Sequence, residues 1–209
     1  MHFNFMKKKV ISILSRKKNI YILCVFLLFF PLKTQLQNIL IFAFDHLFRN
    51  GITSKIFSYN YTGTFIGCIK VGEMINLNPT MNWFQKHSIY FIQFLPSLFA
   101  FWYLYKRYKK DNIFKLLDWF LVLVSCFSIY TAINDLYFLL IYFENYNINT
   151  ILRLLPTIVA FLSIGIFIFF KIFSFKERLQ TIVFSALGFY ASLYLWMKFL
   201  GPKILPIIL

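Results

Sequence analysis

The chain has 209 residues, of which 60% are hydrophobic, 22% aromatic and only 14% charged, and its 22 Lys and Arg against 7 Asp and Glu leave a formal charge of +15. A soluble domain of this size cannot hide 29 Phe among so many Leu and Ile, which excludes an ordinary globular enzyme and points to lipid as the solvent for much of the surface. The positive charge does not call for nucleic acid, because the basic residues gather at the ends of apolar runs, where they act as orientation signals and phospholipid headgroup contacts.

Residues 1–18 carry Lys7, Lys8, Lys9, Arg16, Lys17 and Lys18 with no acid, and residues 19–32 are apolar. The arrangement is that of a signal sequence, but Pro31, Leu32, Lys33, Thr34 and Gln35 follow in place of a small-residue cleavage site, so an uncleaved anchor is expected. The purely apolar part is shorter than the roughly 20 residues a span needs. It can begin near Ile11 with its lysines snorkelling, or run past Pro31 with Lys33, Gln35 and Gln37 turned toward other helices. As a third route, residues 35–48 form a separate amphipathic helix on the outer surface. Leu36, Ile39, Leu40, Ala43, Phe44 and Leu47 share one helical face, which favours the third.

Residues 49–86 are polar and broken by Asn50, Gly51, Gly63, Gly67, Gly72 and Pro79, so they read as an extracytoplasmic loop, with short strands at 55–61 and 64–71. Four apolar runs follow at 87–105, 116–143, 151–170 and 181–200, each about long enough to cross a bilayer. The fold expected is therefore all-α and polytopic, with about five transmembrane helices. It divides into residues 1–48 (basic start, anchor, surface helix), 49–86 (loop) and 87–209 (a four-helix membrane domain of hairpins 87–143 and 151–200).

Fourteen of the 22 basic residues fall on the side of the N-terminus, concentrated at span ends: the six above, then Lys106, Arg107, Lys109, Lys110 and Lys115, then Lys171, Lys176 and Arg178. The bias places the N-terminus in the cytoplasm and the C-terminus outside, in the cell inner membrane.

An offset of 60 residues lays Leu95, Pro96, Ser97, Ala100 and Phe101 on Leu155, Pro156, Thr157, Ala160 and Phe161, and continues to Ser125 on Ser185 and Tyr130 on Tyr190. Two hairpins entering from the same side would be parallel repeats.

No HExxH, Gly-rich phosphate loop, GxSxG or CxxC is present. His2, His46 and His87 are scattered, and Cys24, Cys68 and Cys126 have no ligand spacing, so neither a metal, a cofactor nor a disulfide is expected. The informative residues are ionisable groups near the bilayer, each costly unless paired or hydrated. Asp135 sits late in the run 116–143. Arg153 opens the next span and could pair with Asp135 or Glu144 or hold a phosphate by two parallel hydrogen bonds. Glu73 and His87 belong to the loop and its exit. These four, Glu73, His87, Asp135 and Arg153, form the candidate polar site. In the last span Ser185, Gly188 and Ser192 make a stripe suited to close helix packing.

The expectation for function is a non-enzymatic subunit or assembly factor of a membrane complex, its partners being lipids and other membrane proteins. The alternatives are a small-solute or ion transporter built on the two hairpins, and an enzyme acting on a lipid-linked substrate at the outer leaflet.

Overall fold

A computed structural model describes residues 17–48, 92, 94–110, 114–143, 148–200 and 203. The loop 49–86, with its two expected strands, lies outside the described residues. Within them the chain is helical and holds no strand. The helices are α1 (Lys17–Leu27), α2 (Phe29–Phe48), α3 (Leu95–Lys110), α4 (Leu116–Ile141), α5 (Ile148–Phe167, extended by a π turn over Ile168–Ile172) and α6 (Phe175–Leu200). Three segments are long and apolar enough to cross a membrane: Leu116–Ile141, Leu154–Ile172 and Phe175–Leu200. A fourth crossing is formed if Lys17–Leu27 and Phe29–Gln37 are taken together as one span bent by 43°.

The bend has a local cause. Pro31 has no N–H to give to the carbonyl of Leu27, and its ring crowds that carbonyl, so α1 ends at Leu27. Around the break Leu28 N–H bonds back to Val25 O at 3.2 Å, and Leu32 N–H picks up Leu28 O at 3.0 Å. The helix thus continues past Pro31, the course that a first span using the second route would take. The amphipathic helix expected to begin at Gln35 is continuous with this segment instead. Of its expected apolar face, Phe44 is buried, whereas Ile39, Ala43 and Leu47 are exposed.

Two helix starts are closed by their own acids. Asp118, third in α4, accepts from the backbone N–H of Lys115. Ser174 and Glu177 form a reciprocal box at the start of α6: Ser174 Oγ accepts from Glu177 N–H at 3.4 Å, and Glu177 Oε2 accepts from Ser174 N–H at 3.0 Å. The preceding end of α5 is closed by Arg178, whose Nε and Nη2 donate to the carbonyls of Phe169 and Phe170 at 2.9 and 2.6 Å.

Helix α4 is the centre of the bundle. Trp119, Val122, Leu123 and Phe127 are buried against Ile22, Val25 and Phe26 of α1, Phe29 and Phe30 of α2, Leu104 of α3, Ile168 and Ile172 beyond α5, and Phe184 of α6. Higher up, Phe29, Phe127, Tyr130 and Phe189 meet edge to face with ring centres 4.9 to 5.6 Å apart. Lipid tails are as apolar as these side chains, so what holds such a core is close packing and hydrogen bonding between helices, not exclusion from water.

Candidate functional site

Of the four residues singled out from the sequence, Glu73 and His87 lie outside the described residues. Asp135 is on α4 and half-buried. Arg153 is on α5, and its side chain is likewise outside the described set. The two helices run antiparallel: the Cα face of Gly165 lies against Ile129, and Phe161 shares a small cluster with Ala132. That register puts Asp135 level with Ile158 and Arg153 about 7.5 Å further toward the outer end. Asp135 itself stands about 28 Å along the axis from Leu116, close to the full thickness of a hydrocarbon core.

A polar seam that the sequence did not single out runs through the same half of the bundle. Lys33 and Gln37 of α2, Ser97 of α3, and Ser128 and Thr131 of α4 surround a cavity of about 20 Å³, together with Leu36, Leu40, Phe94, Pro96 and Phe127. That is room for one water molecule. Ser97 is wired into the backbone of α4, donating to Val124 O at 2.7 Å and accepting from Ser128 N–H at 3.3 Å. Its hydroxyl therefore bridges a rung of the α4 ladder and fixes α3 against it. Lys33 stands over the ring of Tyr130 at 5.6 Å. An ammonium at this depth is costly, and an aromatic face with a ring of hydroxyls and an amide lowers that cost. The signal was present in the sequence as Lys33, Gln35 and Gln37 beyond Pro31. What the sequence could not give was which helices they would face.

A second polar network closes the opposite, basic end. Arg107 of α3 pairs with buried Asp118 of α4 at 3.0 Å. Lys18 of α1 pairs with Glu177 of α6 at 3.3 Å and lies over Trp119. Gln180 Nε2 donates to Asn19 Oδ1 at 2.6 Å, both residues being buried. Nearby, Gly188 lets α6 approach α1 so closely that an added Cβ would stand 2.7 Å from Leu23 O and 2.8 Å from Phe26 Cβ. Ser192 Oγ accepts the N–H of Phe30 at 3.3 Å, capping across helices a donor left at the start of α2 by the bend. The stripe Ser185, Gly188, Ser192 is thus spent inside the chain on α1 and α2.

These side chains tie helices to one another; among the described residues no three His, Cys, Asp or Glu gather as a metal would need. Cys24 and Cys126 are free thiols. Neither a family model, nor a curated protein, nor a solved structure matches the chain.

Proposed function

We propose that the protein is a non-enzymatic subunit or assembly factor of a complex in the cell inner membrane, with five spans, a cytoplasmic N-terminus and an outward C-terminus. The fifth span is the run 87–105, whose described part is the start of α3. The observation that carries the reading is the contrast between the two sides of α5 and α6. Only 22% and 24% of their most apolar 18-residue stretches are buried within the chain. The outward side of α5 carries a small-residue row, Pro156, Ala160 and Ser163, all exposed and spaced to share one helical face. Of the inward polar residues of α6, by contrast, Gln180 and Ser192 bond to α1 and α2. A free small-residue row is what a partner helix needs for close approach, whereas lipid needs none.

The test is purification of the tagged full chain in mild detergent, followed by replacement of Ala160 and Ser163 by Phe. A stoichiometric membrane partner is expected with the native chain and lost with the variant, the melting temperature being unchanged because both sites are exposed. A monodisperse lone monomer, or a partner retained by the variant, overturns the reading.

The two hairpins are proposed to descend from one. Pro96 and Pro156 support this, each within two residues of the start of its copy's matched segment, as does the burial of both Ser125 and Ser185. Against equivalence, Ser97 bonds across to α4 while Thr157 donates to Leu154 O of its own helix, and α6 packs chiefly on α1.

One observation favours a transport role as second reading: Lys33 and its hydroxyl-lined cavity, on the same half of α4 as Asp135. Unchanged solute or proton flux in both Lys33→Met and Asp135→Asn would dispose of it.

A further inference from the structure

At the basic end, the first turns of α1 and α4 stand apart and leave an open cleft of about 640 Å³, lined by Lys17, Lys18, Tyr21, Phe114, Lys115 and Leu116. Two classes of side chain line it: three lysines, and two aromatic rings with a leucine. The charges are not equivalent. Lys18 is committed to Glu177 and to the face of Trp119. The other described acid at this end, Asp118, is committed to Arg107 and to the N–H of Lys115. Lys17 and Lys115 thus make no close ion pair among the described residues, although Lys115 lies within the field of Asp118, and both are exposed. Asp118 also closes the start of α4, so the helix terminus is not the anion-binding element here. The cleft continues onto exposed apolar surface at Ile20, Leu116 and Leu117.

We propose that this cleft is a binding site for an acidic glycerophospholipid, its phosphate held between Lys17 and Lys115 and the upper part of an acyl chain lying along Tyr21, Phe114 and Leu116. Charge selects the ligand: two lysines that make no close ion pair among the described residues hold a phosphate-bearing headgroup of net negative charge and prefer it to a zwitterionic one, whose own cation would meet them. Position selects a lipid over a soluble anion. The cleft lies where α1 and α4 start, level with the lysines that end α3, which is the headgroup level of a bilayer, and its floor is apolar. The site also joins helices far apart in the sequence, so an occupant would brace α1 against α4.

The test uses the full chain in nanodiscs of phosphatidylcholine and phosphatidylglycerol in equal parts, released into the gas phase for native mass spectrometry of retained lipid. The native protein is expected to retain phosphatidylglycerol over phosphatidylcholine. Lys17→Gln with Lys115→Gln is expected to reduce that preference about tenfold or more, from an electrostatic contribution per lysine on the order of a few-fold. Lys17→Arg with Lys115→Arg keeps it. Lys110→Gln with Lys176→Gln removes the same charge from the same end and keeps it too. No preference in the native protein overturns the proposal even if the Gln pair fails to fold, and so does an equal loss in the Lys110, Lys176 control, which would mean bulk attraction. Displacement of the lipid by inorganic phosphate in molar excess over protein would overturn the lipid as ligand.

Discussion

At the scale of single residues, the two glycines described in the bundle make opposite demands. A Cβ at Gly188 would fall 2.7 Å from a backbone oxygen of α1, which cannot rotate away, whereas at Gly165 it would meet only the Ile129 side chain at 3.4 Å. Gly188→Ala is therefore expected to destabilise the protein by about 1–3 kcal/mol as α6 is pushed off α1, and Gly165→Ala to change it by less than about 0.5 kcal/mol. Thermal or denaturant unfolding in detergent separates them, and equal effects at the two positions would contradict the packing described. The sequence pointed to Gly188 through its stripe with Ser185 and Ser192. It did not reveal that the stripe's partner is α1, nor that Ser192 reaches the N–H of Phe30. The sequence did not single out the pairing of Arg107 with Asp118. Asp135 and Arg153 attract attention by lying in apolar runs, yet the closest described ion pair uses Arg107 and Asp118. Arg107 reads as one of a basic cluster and Asp118 as an acid at the start of the run 116–143 until α3 and α4 bring them together.

Among elements, the α1–α2 pair was the least legible. Length alone showed that residues 19–32 are too short to span, and Pro31 was visible, but three routes satisfied the same residues. The structure shows a break at Leu28 and a helix running on past Pro31, because the carbonyl of Leu27 cannot be both bonded and crowded by the Pro31 ring. Pro31→Ala restores the donor and is expected to straighten the pair. Spin labels at the exposed positions Lys17 and Leu47 should then move apart by roughly 3 Å, the difference between a straight and a 43° bent rod of that length. An unchanged distance would assign the bend to packing against α6 instead of to the proline. The later helices were easier, since runs of about 20 apolar residues allow few alternatives: the expected span 116–143 corresponds to Leu116–Ile141, and 151–170 falls within Leu154–Ile172 but for its first turn.

For the whole molecule, charge and packing agree on one asymmetry. Lys17, Lys18, Arg107, Lys109, Lys110, Lys115, Lys171, Lys176 and Arg178 mark one end of the bundle, tied together by the Lys18–Glu177 and Arg107–Asp118 pairs. With that end in the cytoplasm, single cysteines at Lys110 and Lys176 in a background lacking Cys24, Cys68 and Cys126 should resist a membrane-impermeant maleimide in intact cells, and a cysteine at Phe143 should react. The reverse pattern would invert the orientation. That the chain is helical and rich in membrane-compatible segments was legible from composition and hydropathy. The order of packing was not, because apolar helices share one small alphabet and their neighbours are chosen by details such as a missing Cβ or a single hydroxyl.

The pairing of α1 with α6 joins residues 161 positions apart through Asn19 and Gln180. During synthesis at about 5–20 residues per second, the first helix must wait on the order of ten seconds before its partner exists. Through that interval Asn19, the glycine-sized hollow beside Leu23 and the bent N–H of Phe30 have no permanent neighbour. The emergence of α6 is thus also the moment at which α1 is secured, and a chain that stalls before α6 keeps that seam open.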